Sequence, residues 1–223
     1  MEAPDAASYD WGREFLKWVA ITAMTVDHIG LVLYPDYTVF RFVGRLAFPL
    51  FAYLLVLGVE STRNLRGYFN RLLFFGMVSQ IPFALANGVQ PWEKLNIFFT
   101  LALGLATVYF MEKNSPLIFI PLAASFLPVD YGVYGTATIL FFYILRKDWR
   151  VGAGLFALVN AVLYLIEPSY QPLALLALPL ILLHSWGRLN FGGGDRGHPL
   201  FTKYFFYVYY PLHLLALVAI KLV

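Results

Sequence analysis

The stretch WVAITAMTVDHIGLVLY (18–34) decides what kind of protein this is. It is apolar enough for a membrane helix, and Asp27 and His28 are the only groups in it that carry charge near neutrality. With a few polar flanking residues it reaches the ~20 residues that cross a bilayer. Runs of the same kind recur at Leu46–Val59, Leu72–Ala86, Ile97–Met111, Pro116–Val129, Tyr131–Leu145, Val151–Ile166, Pro172–Leu183 and Tyr204–Ile220. The 223-residue chain is 60% hydrophobic and 13% charged, against about 25% charged in a soluble domain. That balance excludes a water-soluble enzyme, a disordered chain and a nucleic-acid-binding domain. With no cysteine, disulfides, thiolate metal sites and cysteine nucleophiles are excluded too. No metal site is expected, because the histidines stand far apart at 28, 184, 198 and 213.

The runs predict an all-α, polytopic bundle of about nine transmembrane helices. The first dozen residues read as a polar tail without the cationic start of a signal peptide, and 13–223 as one transmembrane domain. Pro172 and Pro179 make the eighth run either a span or a re-entrant segment. Runs five and six, split by Asp130, read as a tight hairpin or one broken helix. With the N-terminus in the cytoplasm, most cations fall inside: Arg13, Lys17, Arg63, Arg66, Arg71, Lys113, Arg146, Lys147, Arg150, Arg188, Arg196 and Lys203. Only Arg41, Lys94 and Lys221 fall outside, with Arg45 within the second span. This positive-inside bias places the C-terminus outside. The long loop GRLNFGGGDRGHP (187–199) reads as cytoplasmic.

Polar groups inside spans are expensive, so they carry the information. At 1.5 Å per helical residue, His28, Arg45, Gln80 and His213 all lie roughly 10 Å below the outer surface. Asp27 shares that layer; Asn96 and Asp130 border it, with Glu167 at its rim. A polar cavity at this depth is expected. Asp27 is expected to pair with Arg45 across the helix interface, leaving His28 free as a general base. Gln80 and Asn96 have ordinary alternatives as interhelical glue and helix cap. The cytoplasmic cations read as topogenic charge against anionic lipid headgroups, or as a site for the phosphates of a donor.

The segments VDHIG (26–30), GRLAFPLFAYLL (44–55), TRNLRGYFNRLLFFGMVSQIPFALA (62–86), LNIFFTL (95–101), DYGVYG (130–135) and FYVYYPLHL (206–214) resemble the TraX family, in order and over nearly the whole chain. The resemblance implies an acyltransferase linked to conjugative pili, moving an acetyl group from cytosolic acetyl-CoA to an acceptor outside. That acceptor is the N-terminal amine of a pilin, or a glycan or lipid headgroup. Carried over by position, His28, Arg45, Gln80, Asn96 and His213 match the family's motifs, with Asp27 in the same Asp-His pair. His28, Asp27 and Arg45 are the catalytic candidates, and Gln80, Asn96, His213 and, beside them, Asp130 the substrate-binding ones. Arg63, Arg66, Arg71 and Arg146 are the candidates for holding the donor. His28 either takes a proton from the acceptor or carries the acetyl group itself. Arg45 is expected to stabilise the oxyanion, helped by Gln80 or Asn96. A different class, a small proton-coupled transporter or lipid flippase, also uses membrane Asp, His and Arg. A third reading is a structural pilus-assembly partner without catalysis.

Overall fold

A computed structural model describes residues 10–189 and 199–222, with side chains through 189 and again from 204. The first nine residues of the polar tail, most of the 187–199 loop, Arg196, His198 and the Lys203 side chain lie outside the described set.

Local chemistry sets the helix ends. α1 (Trp11–Leu33) starts where the Asp10 carboxylate accepts from the Arg13 N–H at 2.8 Å, an N-cap that satisfies one orphan donor. α2 (Val39–Gly44) and α3 (Ala47–Ser61) follow one path with a break at Arg45–Leu46. Pro49 has no N–H to give the Arg45 carbonyl, so the α-helical ladder lapses there. α4 (Leu65–Asn87) is capped by Asn64 and stopped by Gly88, whose φ of 66° suits glycine. α5 (Ile97–Glu112) is capped by Asn96. α6 (Phe119–Ala124) is short, and α7 (Gly132–Lys147) and α8 (Trp149–Ile166) turn on the single residue Asp148. A 3-10 segment, Gln171–Ala177, leads into α9 (Leu178–Ser185), and α10 (Pro199–Lys221) closes the bundle. Among the described residues the only strand-like pairing is one bridge between Leu95 and Val129.

Five helical units are long and apolar enough to cross a membrane: α1, α2–α3 taken together, α4, α8 and Tyr204–Lys221 of α10. α5 and the Gln171–Ser185 segment are apolar but shorter. Of the nine expected spans, the fifth run is not one continuous helix; it forms a three-residue 3-10 turn and the six-residue α6. Such a helix spans about 9 Å of a ~30 Å hydrocarbon core. Pro116, Pro121 and Pro128 punctuate the run and deny it a continuous ladder. It is neither a tight hairpin nor half of a broken helix with α7, but a kinked return segment. The eighth run is stretched by its 3-10 half. It runs from Gln171, bonded to Arg45, to His184, which faces Asp10, so it reaches from one end of the bundle to the other.

Contacts sort the charges onto these two ends. Arg13 meets Ser61, Arg146 meets Glu60 and His184 meets Asp10 at one end. Lys94 meets Asp130 and Arg41 meets Asp27 at the other. The first, carrying also Arg63, Arg66 and Lys113, is the basic end. α3 is the most enclosed helix, packed between α1, α5 and α7; Leu50, Tyr53 and Val56 on it are fully buried. A helix apolar on every face belongs in such a place. α8 is the opposite case, with Leu158, Leu165 and Ile166 exposed on the outside of the bundle.

Candidate functional site

One stripe of α1 carries Asp10, Arg13, Glu14, Lys17, Met24, Asp27, His28 and Leu31, and all of them line a single cavity of about 980 Å³. These positions recur at helical spacing, so one face of one helix lines the cavity along its length. The cavity has polar ends and an apolar waist. Arg13, Lys17 and Arg71 stand at the basic end; Phe51, Leu54, Leu55 and Leu72 form the waist; Asp27, His28, Arg41, Arg45, Lys94, Asp130 and Gln171 line the far end. From Arg13 to His28 is about 22 Å along α1.

The far end rests on close helix contact. A Cβ on Gly44 would lie 1.9 Å from Asp27 Oδ1, and one on Gly30 would lie 2.3 Å from the Phe40 Cβ. Both positions must be glycine for α2 to press against α1. The approach brings Arg41 Nη1 within 2.8 Å of Asp27 Oδ2. Asp27 therefore pairs with Arg41, not with Arg45 as expected. Arg45 sits in the α2–α3 break, where it donates to Gln171 Oε1 at 2.9 Å, and its buried Nε has no partner among the described residues. The close α1–α2 approach and the break after α2 decide the matter: the same α2 that carries Arg41 onto Asp27 delivers Arg45 to the eighth run.

His28 is not free either. Its Nδ1 lies 2.7 Å from His213 Nε2, and His213 Nδ1 lies 2.9 Å from the Tyr209 carbonyl oxygen. A carbonyl only accepts, so His213 Nδ1 carries the proton, and in the neutral ring its Nε2 is bare. His28 Nδ1 must then donate to it, which leaves His28 Nε2 as the bare nitrogen. His28 lines the cavity; His213, 8% exposed, is buried behind it and does not. The Tyr209 ring stacks on His213 at 4.9 Å and its hydroxyl lies 2.8 Å from Thr25 Oγ1, fixing α10 against α1. The arrangement is an imidazole with its tautomer set by a second ring.

Gln80 and Asn96 are committed elsewhere. Gln80 Nε2 donates to the Pro91 and Lys94 carbonyls at 2.7 Å, and its Oε1 accepts from Asn96 N and Nδ2 at 3.1 and 2.8 Å. Asn96 also donates to the Gly76 carbonyl and caps α5 through Phe98 N. Neither lines the cavity; they secure the 88–95 loop instead. Asp130 does line it, with its carboxylate 2.8 Å from Lys94 Nζ and its carbonyl accepting from Thr100. Of the four expected donor-holding arginines, only Arg71 faces the cavity. Arg63 and Arg66 are exposed, and Arg146 is paired with Glu60 at 3.1 Å. Arg13 at the basic end, and Arg41 and Gln171 at the far end, line the cavity without having been marked as site residues in the sequence, and only the stripe on α1 gave a signal for Arg13. Among the described residues no three His, Asp or Glu side chains gather as a metal site.

An all-helical bundle with helices of membrane length and a cavity joining its two polar ends defines an integral membrane protein with a site inside it. The chain belongs to the TraX family, whose model, described as TraX protein, matches residues 12–221. It is 32% identical to the probable fimbrial assembly protein FimC, serogroup H1, of Dichelobacter nodosus, over 96% of this chain and 97% of that protein. It is 30% identical to Protein TraX of Escherichia coli, over 82% of this chain and 67% of that protein. No solved structure matches the chain.

Proposed function

We propose that this chain is a pilus-related acetyltransferase of the bacterial inner membrane. In this reading the basic end faces the cytoplasm, as the positive-inside rule requires. The N-terminus is then inside and the C-terminus outside. Acetyl-CoA enters at the basic end, and its pantetheine arm lies along the apolar waist. The acceptor, a pilin N-terminal amine or a similar extracytoplasmic amine or hydroxyl, comes from the far end. The fimbrial assembly and TraX relatives support a pilin, with a glycan or lipid headgroup as the other acceptor class.

The observation that carries the reading is the single cavity that joins a cationic mouth to a histidine with a bare Nε2. In direct transfer His28 Nε2 takes the proton of the attacking amine or hydroxyl as its lone pair forms a bond to the thioester carbonyl carbon. Arg45 stabilises the resulting oxyanion in low dielectric. The C–S bond then breaks and the thiolate recovers the proton from His28. An acetyl-His28 intermediate would use the same bare nitrogen, with two displacements in place of one. His213 acts by holding the tautomer, and Asp27 by holding α2, and with it Arg45, in place.

The test is transfer of labelled acetyl from acetyl-CoA to a pilin N-terminal peptide by the purified protein in liposomes. Transfer that disappears in His28→Ala, with membrane insertion intact, is expected; normal transfer by that variant overturns the assignment. A cavity reaching both ends is also what a small proton-coupled transporter or lipid flippase would need. Uptake driven by a pH gradient without any acetylation would favour that second reading.

A further inference from the structure

The basic mouth of the cavity holds more positive charge than its neighbours neutralise. Lys17 is paired with Glu14 and Arg146 with Glu60, while the Asp10 carboxylate lies 3.3 Å from His184 Nε2. Arg13 and Arg71 are in no ion pair among the described residues, and the Nε of each is buried without an acceptor. They are nonetheless held in place. Arg13 Nη1 donates to Ser61 Oγ at 3.1 Å, which in turn donates to the Leu57 carbonyl at 2.8 Å. The Arg71 guanidinium lies 5.4 Å from the centre of the Tyr68 ring. Buried donors without acceptors are rare in proteins and need a reason.

We propose that Arg13 and Arg71 form a phosphate-binding mouth that takes the phosphorylated end of the thioester donor. The proposal rests on the acetyltransferase reading for the identity of that donor. The guanidinium fork matches phosphate oxygens in geometry and charge. The distance supplies the rest: a phosphate at Arg13 and a reacting carbonyl at His28 are about 22 Å apart along α1, with an apolar channel between. That is the layout of a phosphate joined to a thioester by a long, mostly uncharged arm. Two sources share this chemistry, the nucleotide diphosphate of coenzyme A and the serine-linked phosphodiester of an acyl carrier protein.

The experiment uses the full chain in detergent or liposomes, with Arg13→Gln, Arg71→Gln and, as a control at the same end, Lys113→Gln. Coenzyme A is titrated calorimetrically, and transfer is assayed with acetyl-CoA, an acetylated carrier protein and phosphate-free S-acetyl-pantetheine. Each arginine variant is expected to bind coenzyme A at least tenfold more weakly and to raise the KM for the phosphorylated donor by a similar factor. Rates with S-acetyl-pantetheine should stay at the wild-type level. Arg13→Lys and Arg71→Lys, which keep the charge and lose the fork, should fall between and cover the case of a glutamine variant that fails to fold. Whichever of acetyl-CoA and the carrier protein shows the arginine-dependent KM is the source of the phosphate. Unchanged coenzyme A and carrier-protein parameters, or an equal loss with the phosphate-free donor, overturns the proposal. Arginine-dependent coenzyme A binding without transfer from any donor would instead sink the acetyltransferase reading and leave the phosphate site standing.

Discussion

His28 Nδ1 and His213 Nε2 lie 2.7 Å apart, with their rings stacked at 4.9 Å between centroids. The pair joins α1 to α10, 185 residues away in the chain. It leaves the second nitrogen of His28, a residue that lines the cavity, without a proton, because His213 is itself committed to the Tyr209 carbonyl at 2.9 Å.

His213→Phe should therefore lower acetyl transfer by about 10²-fold without changing insertion, the order of magnitude of losing a well-oriented general base. His213→Gln, whose amide oxygen can still accept from His28, should recover part of that loss. Initial rates per folded protein are the measurement. Equal activity in the phenylalanine variant would remove His213 from the site.

Asp27 and Arg41 should show a coupling of about 1–3 kcal/mol in a double-mutant cycle of Asp27→Asn and Arg41→Gln, read from unfolding in detergent. The cycle of Asp27→Asn with Arg45→Gln should give a smaller value. The reverse order would restore the Asp27–Arg45 pairing that the sequence had led us to expect.

Gly44→Ala should destabilise the protein by about 1–3 kcal/mol, because the new methyl occupies the place of the Asp27 carboxylate. Adding Asp27→Ala should return the unfolding midpoint toward wild type and leave activity low. A midpoint unaffected by Gly44→Ala would mean that α1 and α2 are not in this contact.

Gln80→Ala strips acceptors and donors from Asn96 and the Pro91 and Lys94 carbonyls. Each buried group left unmet costs about 1–3 kcal/mol. Stability should drop while the KM for the acceptor, measured on folded protein, stays the same. A raised KM at unchanged stability would return Gln80 to the substrate site.

The chain has no cysteine, so sidedness is testable with single substitutions. Arg66→Cys should react with an impermeant maleimide only from the cytoplasmic side, and Glu93→Cys only from outside. Both positions are exposed. The opposite pattern would invert the bundle.

Residue order alone determined the class of fold. Apolar runs of bilayer length follow from the cost of exposing backbone and charge to lipid, and that cost is written in composition. It also singled out Asp27, His28, Arg45 and His213 as groups needing a reason. Partnership was decided only by tertiary structure. Arg41 and Arg45 are one helical turn apart, and nothing in their spacing says which of them Asp27 meets; the α2–α3 break and two glycine contacts settle it. Gln80 and Asn96 have the residue types of a substrate site, but their carboxamides are hydrogen-bonded to each other and donate to the Gly76, Pro91 and Lys94 carbonyls, which makes them glue. Arg13 looked like one more topogenic cation until the fold placed it, with no ion-pair partner among the described residues, in the lining of a cavity ending at His28. Hydrophobic patterning acts along one chain segment at a time, whereas a hydrogen bond between α1 and α10 exists only once both helices are packed.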